Sequence, residues 1–160
     1  MNAIDVLKYG HRTVLGALDG LPQTEWETPG VCGIWSVKDI IAHLASYEHM
    51  LVDVLTTFLD GGPTPYLDKM GADFEGFNDA EVASRQDKTI AEVLAEYNDT
   101  QARTMTLAGR IPAETYRQTG ALPWYGPAYD LDDFIAYSFY GHKREHSAQI
   151  AVFCDQLARQ

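Results

Sequence analysis

The sequence predicts an all-α fold, a four-helix bundle with long connections, on three observations. Four long segments repeat apolar residues at intervals of three and four, no stretch alternates as a half-buried strand does, and no fixed-period repeat is present. The 160 residues fit a single domain over 1–160, large enough to bury a core without staples.

The first helix is expected from Ile4 to Leu18, where Ile4, Leu7, Val14 and Leu18 form a stripe and His11 fills its missing step. Gly20, Pro22 and TPGVCG then interrupt the periodicity, which gives a loop over 20–34. Ser36 and Asp39 form a capping-box start for a second helix running to about Leu59. Ile40, Ile41, Leu44, Tyr47, Leu51, Val54, Leu55 and Phe58 make its apolar side, and GGPTP stops it.

Residues 66–88 are polar and punctuated by glycine, so they read as an ordered connection in which NDAE can cap a short helical piece. Thr89 and Glu92 cap a third helix through Ile90, Val93, Leu94, Tyr97, Met105 and Ala108, closed by Gly109 and Pro112. Three prolines make 111–129 a long loop with aromatic anchors. Asp130 opens the fourth helix, whose stripe runs through Leu131, Phe134, Ile135, Ser138, His142, His146, Gln149, Ile150, Phe153 and Leu157.

Charge narrows the partners. Twelve Lys and Arg against 23 Asp and Glu leave a net charge of −11 with no basic cluster, so no nucleic-acid and no anionic-membrane partner is expected. Asp5, Lys8, His11 and Arg12 break the N-terminal segment, which is neither a signal sequence nor a membrane span, so a cytoplasmic location is the default expectation. Cys32 and Cys154 lie outside any CxxC spacing and read as two reduced thiols, Cys32 standing where it could border a site.

The segment YGHKREHSAQI carries the chemistry. His142 and His146 are about 40° apart around a helix and about 6 Å apart along it, close enough to share one ligand. Two imidazoles on the buried side cost desolvation twice, and their imidazolium forms repel, so a shared cation is an economical explanation. A surface or water-bridged pair is the alternative. HKREH also matches the H-x-x-E-H pattern of inverted zinc proteases, but the 14 residues after His146 contain no His or Glu to complete that site. A third ligand must come from upstream, and His43 is the candidate, on a helix edge with Ile40, Tyr47 and Met50. His49, between Ser46 and Asp53, reads as a surface residue; His11 either lines a cavity or hydrogen-bonds in the core.

GIWSVKDIIAHLASYE followed by YGHKREHSAQI resembles the damage-inducible DinB-like family of metal-binding four-helix bundles. In that family a helix 2 histidine after a WS-x-x-[DE] start joins an H-x-x-x-H pair on helix 4 to bind a divalent metal, often nickel or zinc. The pattern lands on His43, His142 and His146. The likeness is close over these two helices and extends in layout to nearly the whole chain, whereas 60–88 and 111–129 match nothing in it. It implies a small-molecule substrate, a homodimer, and either transfer to a low-molecular-weight thiol cosubstrate or hydrolysis. DNA binding is not implied, and the charge opposes it.

Three neutral nitrogens and one open position leave a divalent ion enough charge to acidify water or a thiol. Glu145, about 60° from His142 around the helix, is the candidate catalytic base, or else points to solvent beside Lys143 and Arg144. Tyr47 and His11 are pocket candidates. Arg12 and Arg144 could recognise the carboxylates of a thiol, or form solvated salt bridges. A non-catalytic metal- or small-ligand-binding bundle is the alternative function.

Overall fold

Local capping starts the long helices where the sequence places them. Ser36 Oγ accepts from the Asp39 backbone N–H at 3.2 Å while Asp39 Oδ2 accepts from the Ser36 N–H at 2.9 Å; Thr89 and Glu92 repeat the exchange at 3.2 and 2.7 Å. The structure, a computed structural model, describes residues 2–160. Its α-helices are α1 (Ala3–Leu18), α2 (Val37–Thr57), α3 (Pro65–Ala72), α4 (Phe77–Ala83), α5 (Ile90–Ala108), α6 (Leu131–Ile135) and α7 (His142–Ala158). A π-helical segment, Ala136–Gly141, joins α6 to α7 without a break. Among the described residues there is no strand, and no helix is long and apolar enough to cross a membrane.

Two helix pairs make the bundle: α2 lies along α5 and α1 along α7, whereas α2 and α7 approach each other at few places. The apolar stripes bury two separate clusters. One gathers Leu7, Leu51, Leu55, Leu107, Phe134 and Phe139; the other gathers Val14, Ile40, Leu44, Val93, Ile150 and Phe153. Between them along the chain, every long helix contributes polar residues: His11 from α1, His43 and Glu48 from α2, Gln101 and Thr104 from α5, Lys143, His146 and Ser147 from α7. The bundle is thus cohesive at two levels and polar in the layer that separates them.

Residues 66–88 form more structure than the sequence suggests. Helices α3 and α4 fold onto α2. Thr64 gives α3 no side-chain cap, and Asp53 of α2 substitutes, Oδ2 accepting from the backbone N–H groups of Tyr66 and Leu67 at 2.6 and 3.1 Å. Ser46 and Asp53, on either side of His49, are buried. His49, read as a surface residue, instead stacks on Tyr66 at 4.5 Å and bonds Glu96 at 3.0 Å, because this cover arrives from a segment distant in sequence.

Arg85 is buried at the centre of the same junction. It bonds Glu96 Oε1 through two nitrogens at 3.0 and 2.8 Å and Glu81 Oε2 at 2.8 Å. Lys88 adds a bond to Glu96 at 2.6 Å. Burial by itself pushes the Glu96 carboxyl up, but the bonds from His49, Arg85 and Lys88 outweigh it and hold the group far below the usual carboxylate range. A carboxyl depressed on folding stabilises above its unfolded pKa of about 4.3, and that contribution is lost as pH falls. Glu96→Gln should lower unfolding free energy at pH 7 by about 1–3 kcal/mol in urea titrations and flatten the wild-type loss of stability below about pH 4.5. Equal acid sensitivity in the two proteins would show that the cluster is not responsible.

Candidate metal centre

His43 sits in the second turn of α2, placed by the Ser36 cap, and His142 and His146 occupy the first turns of α7. Their Nε2 atoms converge: His43 to His142 at 2.8 Å and His146 to His142 at 2.9 Å. The ligand-capable atoms of all three lie within 4.8 Å of one another. Trp35 and Tyr47 flank the His43 ring at centroid distances of 4.9 and 4.8 Å. Cys32 pairs with Trp35 through the backbone, which holds the main chain beneath that indole; it is the closest Cys32 comes to a role here.

Burial makes the cluster neutral. Desolvation first, then the neighbouring imidazoles, lowers His43 to about 2; desolvation, His146 and Lys143 lower His142 to about 3. His146 is also lowered by burial, partly offset by Gln149 and Glu145. His146 Nδ1 lies 2.8 Å from Gln149 Oε1, an atom that only accepts, so Nδ1 carries the hydrogen and Nε2 turns a lone pair to the cluster. His43 Nδ1 is buried with no partner.

His142 Nε2 faces two other ring nitrogens, yet a ring nitrogen offers one in-plane hydrogen or one lone pair. A proton satisfies only one of those contacts, whereas a divalent cation can take all three lone pairs. Tetrahedral zinc with nitrogens at about 2.0 Å spreads them about 3.3 Å apart. The two contacts to His142, at 2.8 and 2.9 Å, would open by about half an ångström, and the wider His43–His146 pair, within 4.8 Å, would close toward the same value. The donor set therefore fits a divalent transition metal.

His43 and His146 are buried, whereas His142 is half-buried and edges a cleft of about 340 Å³ with Tyr47, Tyr137, Ser138, Gly141 and Glu145. Glu145 and Tyr47 thus share the cleft that His142 edges. His11 does not. It lies against Tyr97 at 5.0 Å and lines a different groove, between α1 and α5, together with Arg12. The π segment and α7 fill the space between α1 and the triad, which is why the stripe position of His11 leads elsewhere. Arg144 lies over the Tyr140 ring at 5.7 Å, so neither arginine lines the cleft.

Sequence reasoning missed Gln149 as the orienting partner of His146, though a carboxamide three residues along a helix from a candidate ligand is a readable signal. It also placed Lys143 with the solvated charges. Lys143 is 2% exposed and ion-paired with Glu48, which is fully buried.

A family profile described as the DinB superfamily matches residues 7–150. No curated protein and no solved structure gives a match.

In the metal-free protein, unfolded imidazoles titrate near 6.5 but folded His43 and His142 do so near 2 and 3. Below about pH 6.5 the unfolded chain binds more protons, so stability falls with pH. The urea midpoint of metal-free wild type should drop between pH 7 and pH 5, and drop less in His43→Gln/His142→Gln. A midpoint constant over that range would contradict the neutral, desolvated triad.

Proposed function

This chain belongs to the DinB superfamily, and from that premise we propose that it is a divalent-metal-dependent enzyme acting on a small organic molecule, with hydrolysis the favoured reaction. The observation that carries the reading is the double contact of His142 Nε2, at 2.8 and 2.9 Å, beside a cleft open to solvent. Zinc and nickel both suit three imidazoles. A bound ion would supply Lewis acidity to a water or thiol at its open position.

The chain's own residues would do the rest. His43, His142 and His146 hold the ion, and the Gln149 bond orients His146. Glu145, exposed on the cleft wall, accepts the proton of the attacking water and returns it to the leaving group. Burial pushes the Tyr47 phenol up despite a bond with Asn78, so Tyr47 remains a neutral hydrogen-bond donor toward a substrate oxygen.

Water is favoured over a low-molecular-weight thiol because no Lys or Arg lines the cleft to receive a thiol's carboxylates. Thiol transfer would use the same groups, with the S–H proton passing to Glu145, and remains the competing activity to screen.

Elemental analysis of protein purified without a histidine tag should find near-stoichiometric metal in wild type and none in His43→Ala or His142→Ala. Glu145→Gln should keep the metal and lose about 10²–10⁴-fold in turnover on whichever ester, amide or thiol-acceptor substrate a screen identifies. Wild type that takes up neither zinc nor nickel on reconstitution would overturn the proposal. Stoichiometric metal without any exchangeable coordination position would leave a binding protein in its place.

A further inference from the structure

We propose that the Lys143–Glu48 ion pair is a positioning device for the triad, fixing the rotation and axial register of α7 against α2 so that His142 and His146 close on His43. The inference rests on the metal-binding reading above. Its starting point is where the pair sits. Lys143 directly follows His142 on α7, and Glu48 lies on α2 one residue beyond Tyr47, which flanks His43.

The two helices have little else to hold their register. Among the described residues, the polar side-chain links that run directly between α2 and α7 are the His43–His142 contact and the Lys143–Glu48 pair. Neighbours from the remaining long helices make the pair directional. Lys143 Nζ donates to Gln101 Oε1 at 3.0 Å, and Thr104 Oγ1 donates to Glu48 Oε2 at 2.9 Å, both from α5. The ammonium lies 5.6 Å from the centre of the Tyr97 ring. Gln101 Nε2 reaches the Leu7 carbonyl of α1 at 3.5 Å. Helix α1 also yields space: a Cβ at Gly10 would stand 3.2 Å from Lys143 Cδ.

Such a pair is a poor source of stability, since apolar side chains of similar volume commonly replace buried ion pairs at no loss. What apolar groups lack is direction. Leucine and methionine would tolerate a roll or slide of α7, whereas Lys143 tied to Glu48 and Gln101 allows one setting. With His142 about 100° around the helix from Lys143, that setting fixes where the imidazole points.

The test uses the full chain with Co²⁺ as probe, comparing wild type, Glu48→Leu/Lys143→Met and Thr104→Val. The double variant should melt no lower than wild type, yet bind Co²⁺ about 10–100-fold more weakly, with an altered visible d–d spectrum. Thr104→Val, which removes one bond to Glu48 at nearly constant volume, should weaken binding in the same direction by about threefold, and keeps the proposal testable if the double variant does not fold. Affinities within twofold of wild type and unchanged spectra in the folded variants would overturn the positioning role while leaving the metal site intact. Failure of wild type itself to bind Co²⁺, Zn²⁺ or Ni²⁺ would instead overturn the metal reading and this inference with it.

Discussion

The constraint on which this structure depends is that a buried polar layer must be satisfied from within. Glu48, Lys143, Gln101, Thr104 and the three imidazoles lie between two apolar clusters, where desolvated groups without partners are costly. Each long helix therefore has to arrive at this level in one rotation. Leu51, Phe134, Ile41 and Ile150, above and below, provide cohesion that is indifferent to small rolls. The polar layer is intolerant of them, and it selects among the packings that the apolar residues alone would allow.

The triad inherits its character from that layer. Two of the imidazoles are buried and one is half-buried, so the cluster is open to solvent on the His142 side, where Tyr47 and Glu145 line the cleft. The neutrality of the cluster follows from its surroundings before any ion is considered: desolvation, the neighbouring rings and the Lys143 charge all act against the imidazolium. A metal at these nitrogens would compete with protons, and the fold has already weakened the proton's claim.

What was legible in the sequence follows the range of each interaction. The long helices could be read because their signals are local: the Ser36 and Thr89 capping boxes, and stripes such as Ile40, Leu44 and Leu51. The triad could be read because His142 and His146 are one turn apart and the WSVKD start located His43. Helices α3 and α4 were harder to read, since Asp53, far back on α2, caps α3 in place of an adjacent residue. The Lys143–Glu48 pair was hidden for the same reason. A lone lysine on a helix reads as solvated, and its partner is on another helix. The partial burial of His49 likewise depends on Tyr66 arriving from elsewhere.

The π-helical turn between Ala136 and Gly141 is the remaining departure, and it changes how the chain must be counted. A turn of this kind accommodates one residue more than an α-helical turn. The buried face before it runs through Leu131, Phe134 and Ile135, and after it through Phe139, Lys143, Ser147 and Ile150, one step out of phase with a continuous 3.6-residue repeat. The rod formed by α6 and α7 is continuous in space but carries two numbering lattices. Superposing it on a helix without the turn requires a one-residue gap within 136–141; without that gap, an alignment that fits Phe134 sets His142 and His146 one position off.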